Sequence, residues 1–193
     1  MHTRSSGNKK NYKRLTIVTM SVLVAIFVGV GILWDMAPDT SLSSASSSSV
    51  GIENIKCETL ERTTFHIHAH LDIFINGKPY TVPAQIGIVP DKCLYWMHTH
   101  DDSGVIHIES PEIRNFTLGQ FFNIWNKKFN NTQIFDNIVS NNKNVTLSVY
   151  VNGNKVSSAD YRNIKLNSHD EIAIVYGKAP DTIPSSYHFP AGL

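Results

Sequence analysis

Strict alternation is the feature that most narrows what this chain can fold into. From Phe65 to Ile73 it reads Phe-His-Ile-His-Ala-His-Leu-Asp-Ile, apolar and polar residues taking turns without a break. Side chains of an extended segment point to opposite faces in turn, so a strand sets His66, His68, His70 and Asp72 on one face and Phe65, Ile67, Ala69, Leu71 and Ile73 on the other. The second set is predicted to be core. The first is a row of imidazoles about 7 Å apart with no packing purpose, and metal binding is the economical account of it.

A second cluster, Trp96-Met97-His98-Thr99-His100-Asp101-Asp102-Ser103-Gly104-Val105-Ile106-His107-Ile108-Glu109, repeats the device. Alternation puts His98 with His100 and His107 with Glu109, so two arms with their imidazoles on one side are expected to close round an ion. The candidate ligands are therefore His66, His68, His70, His98, His100, His107, Asp72 and Glu109. Imidazole suits copper, zinc, nickel and iron, and the chain has only four methionines, which argues against a thioether-rich copper(I) site. Copper(II) or zinc is the expected ion. A binding role is favoured over a reaction. The alternatives are a metal-dependent enzyme with Asp101, Asp102 or Glu109 as base, and a metal-free surface adhesion or assembly module.

Strand signals recur elsewhere. Asn76-Gly77 after the first histidine strand supplies the two positive φ values of a tight hairpin turn, and Leu147 to Gly153 repeats the pattern of Leu71 to Gly77 without a gap. That second copy carries no histidine on its strand. Asp170 to Gly177 reads as a last strong strand and Ala179 to Leu193 as a tail. Between the hairpins, Thr117-Leu118-Gly119-Gln120 has capping-box spacing, and Leu118, Phe121, Phe122, Trp125 and Phe129 follow at helical intervals as one apolar stripe. The expected fold class is α+β: mainly antiparallel hairpins with one amphipathic helix packed on the sheet.

This domain is predicted to hang from a membrane. Residues 15–34 are apolar or small and uncharged, about the 20 residues a spanning helix needs. Arg4, Lys9, Lys10, Lys13 and Arg14 precede the run and Asp35 and Asp39 follow it, which places 1–14 in the cytoplasm and the rest outside. Residues 35–51 form a serine-rich linker, and 52–193 the extracytoplasmic histidine-rich domain. Cys57 and Cys93, the two cysteines, are expected to pair in that compartment. With a formal charge of +1 and scattered basic residues, nothing points to nucleic acid, so the expected partners are the membrane and the metal ion. Sequons at Asn115, Asn130 and Asn144 are compatible with export.

From Phe65 to Trp125 the segments HIHAHLDIFINGK, CLYWMHTHDDSGVIHIESPE and FTLGQFFNIW resemble an uncharacterised family of small exported or membrane-anchored proteins of archaea and bacteria. The resemblance implies an extracytoplasmic location and a shared histidine-rich site, and no particular activity.

Overall fold

The computed structural model describes residues 51–140 and 145–193. The predicted anchor at 15–34, the basic segment before it and the linker up to residue 50 lie outside the described residues, as does Asn144. Among the described residues no helix is long and apolar enough to cross a membrane.

The strands in chain order are β1 (Cys57–Glu58), β2 (Phe65–Ile75), β3 (Lys78–Tyr80), β4 (Ile88–Val89), β5 (Cys93–Tyr95), β6 (Met97–His98) and β7 (Val105–Ser110). The helix α1 (Leu118–Ile124) follows, then β8 (Phe129–Asn130), β9 (Gln133–Ile134), β10 (Asn137–Ile138), β11 (Leu147–Val151), β12 (Asn154–Lys155) and β13 (Glu171–Tyr176). Seven of them make one sheet in the order β12-β11-β13-β2-β7-β6, with β3 also on β2. Two three-stranded ribbons, β1-β5-β4 and β10-β9-β8, complete the set.

The alternating segment is the sheet's longest strand, and its two halves face different partners. Phe65 to His70 pairs antiparallel with β7, whereas His70 to Ile75 pairs parallel with β13. The sheet is thus antiparallel-rich but mixed. A parallel partner is invisible to local pattern, because it depends on a strand about a hundred residues away rather than on a turn. Both Asn-Gly turns form as expected: Asn76 and Gly77 have φ of 53° and 80°, Asn152 and Gly153 of 52° and 78°. The two hairpins lie on either side of β13.

One face of the sheet is the core. Ala69, Leu71 and Ile73 of β2, Ile106 and Ile108 of β7, Met97 of β6, Ile172 and Ile174 of β13 and Val149 of β11 are all buried there. Helix α1 adds Leu118, Phe121, Phe122 and Ile124 to the same cluster; each fully buried side chain of this size contributes about 1.5–3 kcal/mol. The capping box is present, with Thr117 Oγ1 accepting from Gln120 N and Gln120 Oε1 accepting from Thr117 N at 3.0 Å. The helix is shorter than its stripe. Asn126 takes a left-handed φ of 56°, Asn126 N donates to Asn123 O and Lys127 N to Phe122 O, and this closing motif ends the helix after two turns. Phe129, predicted on the helix, instead begins β8 and stacks on Phe122 at 4.3 Å between ring centroids. Burial, not helical phase, explains its spacing.

Cys57 and Cys93 form a disulfide closing a sequence separation of 36 residues. It ties the start of the domain to β5, the strand leading into the second histidine cluster. Cys93–Tyr95 belongs to the small ribbon, and the chain enters the main sheet after Trp96.

Candidate metal centre

The face opposite the core carries the histidines, and cross-strand register gathers them. His66 lies opposite Glu109, His68 opposite His107, and His107 opposite His98. Three adjacent strands, β2, β7 and β6, therefore place His68, His107 and His98 in one row. His107 meets His68 edge-on at 4.6 Å between centroids and lies nearly parallel to His98 at 5.5 Å. His66 adjoins His68 at 4.7 Å, while His100, just past the end of β6, adjoins His98 at 4.8 Å and His107 at 4.5 Å. The floor is buried and the rim is open: His98 is 0% exposed and Glu109 4%, whereas the side chains of His66 and His100 are 39% and 43% exposed. The histidines are thus brought together on one face of three adjacent strands rather than by two closing arms.

Within this array two pairs of ring nitrogens face each other, His66 Nε2 and His68 Nε2 at 3.1 Å, and His98 Nε2 and His100 Nε2 at 3.2 Å. Ligands at 2.0–2.1 Å from a tetrahedral ion sit about 3.3 Å apart, so both gaps suit neighbouring ligands on one ion. Glu109 Oε1 lies 3.3 Å from His66 Nε2, 3.7 Å from His107 Nδ1 and 3.9 Å from His98 Nε2. Its other oxygen, Oε2, is buried with no hydrogen-bond partner. A buried carboxylate oxygen left without a donor costs free energy that a cation would recover.

Orientation and protonation favour ligation. His98 Nδ1–H donates to Tyr95 O at 2.9 Å, which leaves Nε2 with its lone pair toward the array, the arrangement seen behind metal-bound imidazoles. Burial, together with the neighbouring imidazoles, pushes His68 and His98 down to about 4, so both are neutral at physiological pH. Burial by itself would raise Glu109, but the imidazoles of His107, His98 and His66 outweigh it and hold the carboxyl below its ordinary value. The atoms of His98, His100, His107 and Glu109 that could ligate lie within 4.8 Å of one another, as do those of His66, His68 and His107.

His70 and Asp72, predicted with the same cluster, go elsewhere. They join Glu171, whose register partner on β2 is His70, in a separate group across the other edge of the strand. His70 Nδ1 sits 2.7 Å from Glu171 Oε2 and Nε2–H donates to Ser103 O at 2.8 Å, so both ring nitrogens are engaged. Burial lowers His70, but the hydrogen bond and charge of Glu171 outweigh it and hold the imidazole above its ordinary value. Tyr187 of the tail stacks on the ring at 3.8 Å, and Gly104 permits the close approach, since a Cβ there would stand 2.7 Å from Leu71 O and 3.0 Å from His70 Nε2. Neither Glu171 nor Tyr187 is legible as a site residue in the sequence. Glu171 is one acid at the start of an apolar strand, and only the parallel pairing gives it an imidazole. The tail carries no periodic signal at all.

Asp101 and Asp102 stand in the exposed turn after His100. Asp101 Oδ1 accepts from Ser103 N at 3.0 Å and from the Ser103 hydroxyl, bonds that hold its carboxyl below the ordinary value. Neither belongs to a ligand group. His100 borders two open recesses of about 420 and 650 Å³, the second shared with Asp101 and Asp102. None of the family models, curated proteins or solved structures compared with the chain matches it.

Proposed function

We propose that this is a membrane-anchored, extracytoplasmic transition-metal-binding protein whose centre is the array of His98, His100, His107 and Glu109, with His66 and His68 beside it. The single observation that carries the reading is Glu109, a buried carboxylate with one oxygen unpartnered and the other within 3.3 to 3.9 Å of ring nitrogens of three histidines. The chemistry of the donors narrows the ion. Both cysteines are consumed in the disulfide and Met97 is fully buried on the core side of its strand, so thiolate and thioether ligands are missing from the set. Imidazole with one carboxylate suits copper(II) or zinc, with copper(II) the stronger binder in the divalent series. The uncharged run at 15–34, its basic flank and the disulfide support a location outside an anchoring membrane.

Titration of the detergent-solubilised full-length chain with zinc and with copper(II), under a competing chelator, tests this. Binding tighter than micromolar is expected, weakened at least tenfold in Glu109→Ala and His107→Ala. Wild-type binding no better than millimolar for every first-row ion overturns it and leaves a metal-free assembly module. A second reading, a metal-dependent enzyme, is favoured by the exposure of His100 at two recesses, which opens the ion to water and small molecules. An exchangeable metal-bound water, with an activity lost in Asp102→Asn at full metal content, would establish it.

A further inference from the structure

Resting on that reading, we propose that the array holds two metal ions side by side, sharing His107 and bridged by Glu109. Six donor side chains lie on this face: His66 and His68 on β2, His107 and Glu109 on β7, and His98 and His100 on or beside β6. Neighbouring strands are spaced by about 4.8 Å, so β2 and β6, with β7 between them, are about 10 Å apart. Each outer strand presents its own pair of facing Nε2 atoms, at 3.1 Å on β2 and 3.2 Å at β6, and each gap suits two ligands of one ion.

The middle strand supplies the groups that are common to both pairs. His107 belongs to the ligand set of His66 and His68 and also to that of His98 and His100. An imidazole has two ring nitrogens and can serve one ion with each, releasing its remaining N–H proton to solvent when both are occupied. Glu109 Oε1 lies within 4 Å of a histidine from each outer pair, His66 and His98, and Oε2 is buried and without a donor. A carboxylate so placed can bind through both oxygens at once. A single ion on either pair would leave the other as two buried or half-buried imidazoles facing each other through one shared proton, and would leave Glu109 with one idle oxygen.

The test is stoichiometry and magnetism on the full-length chain. Metal analysis after zinc loading and removal of loose ions is expected to give two ions per chain. His66→Ala and His100→Ala, which truncate the two rim imidazoles and spare the buried floor, are each expected to lower this toward one; circular dichroism checks that both variants fold. Loading with copper(II) is expected to give an electron paramagnetic signal that grows with the first equivalent and falls with the second, as two spins couple through a shared ligand. One ion per wild-type chain overturns the inference while leaving the metal-binding reading intact, and two ions with additive, uncoupled signals overturn the sharing. No ion at all overturns the reading on which both stand.

Discussion

Two halves of one strand face, residues apart, end in opposite chemistry. His66, His68 and His70 are the same residue on the same side of β2, yet the first two open into a many-imidazole array while His70 is closed off with both nitrogens bonded and an aromatic ring over it. What differs is the neighbour. Across the edge shared with β7 stand Glu109 and His107, which lie between two pairs of imidazoles facing each other at 3.1 and 3.2 Å; across the edge shared with β13 stands Glu171, which bonds the one imidazole of His70 beside Asp72. A repeated residue therefore acquires its role from the strand beside it. What separates the groups is the imidazoles: the array holds several that face one another, whereas both ring nitrogens of His70 are already bonded, although Glu171 Oε1, like Glu109 Oε2, is buried without a partner.

The largest effect that would sharpen this contrast is on the closed side. Glu171→Ala leaves His70 as a buried base without its acid and should destabilise the metal-free fold by about 3–5 kcal/mol, read by urea unfolding, while metal affinity of the array changes little. Loss of metal binding in that variant, at a pH and temperature where it is still folded, would break the distinction between the two groups.

Next is the metal itself. A ligand at 100 times its dissociation constant stabilises the folded state by about 2.7 kcal/mol, so zinc at that excess should raise the unfolding midpoint clearly. His100→Ala, a change at an exposed rim position, should remove the share of that gain owed to the ion on the β6 side and keep the share owed to the His66–His68 pair, with little change to the metal-free midpoint.

The two groups should also answer pH with opposite sign. His68 and His98 are held neutral by burial, at about 4 against an ordinary 6.5, so the unfolded chain takes up protons first as the solution is acidified. Their contribution is complete above about 6.5 and is lost as pH falls toward 4. His70, raised by Glu171, contributes below the ordinary histidine value and loses that contribution as pH rises through its folded value. Urea midpoints of the metal-free protein across this range should fall on the acid side, and His68→Leu should flatten that limb; an acid limb unchanged in the variant would show that the array is not its source.

The smallest expected effect concerns the tail. Tyr187→Ala removes a ring stacked on His70 and should cost about 1 kcal/mol in unfolding, without altering metal stoichiometry. A change in metal affinity there would mean that the tail covers the array as well as the closed pair.

Much of this was legible in the residues alone. Alternation from Phe65 to Ile73 specified a strand with one apolar and one histidine face, because a period of two is a property of the extended backbone itself. The two Asn-Gly turns and the capping box at Thr117 were equally readable, since each is settled by four or five consecutive residues. The pairing of the two cysteines was expected from their number and from the export expected of the chain, and the disulfide is present. Helix length was not readable, because Asn126 can continue a helix or end it and the apolar stripe ran on to a residue buried for another reason.

What tertiary structure decided was partnership. The sequence grouped His70 and Asp72 with the other histidines because they share a strand face, and no local rule could reveal that β13 would lie parallel to β2 and bring Glu171 to His70 across a separation of 101 residues. Nor could it reveal that β7 would stand between β2 and β6, making His107 and Glu109 common to both outer pairs. Side-chain direction along a strand is local geometry, fixed by covalent structure; strand order is a global packing choice, made by which apolar faces bury one another best. The sequence therefore named the candidate donors, and the sheet order decided which of them lie together.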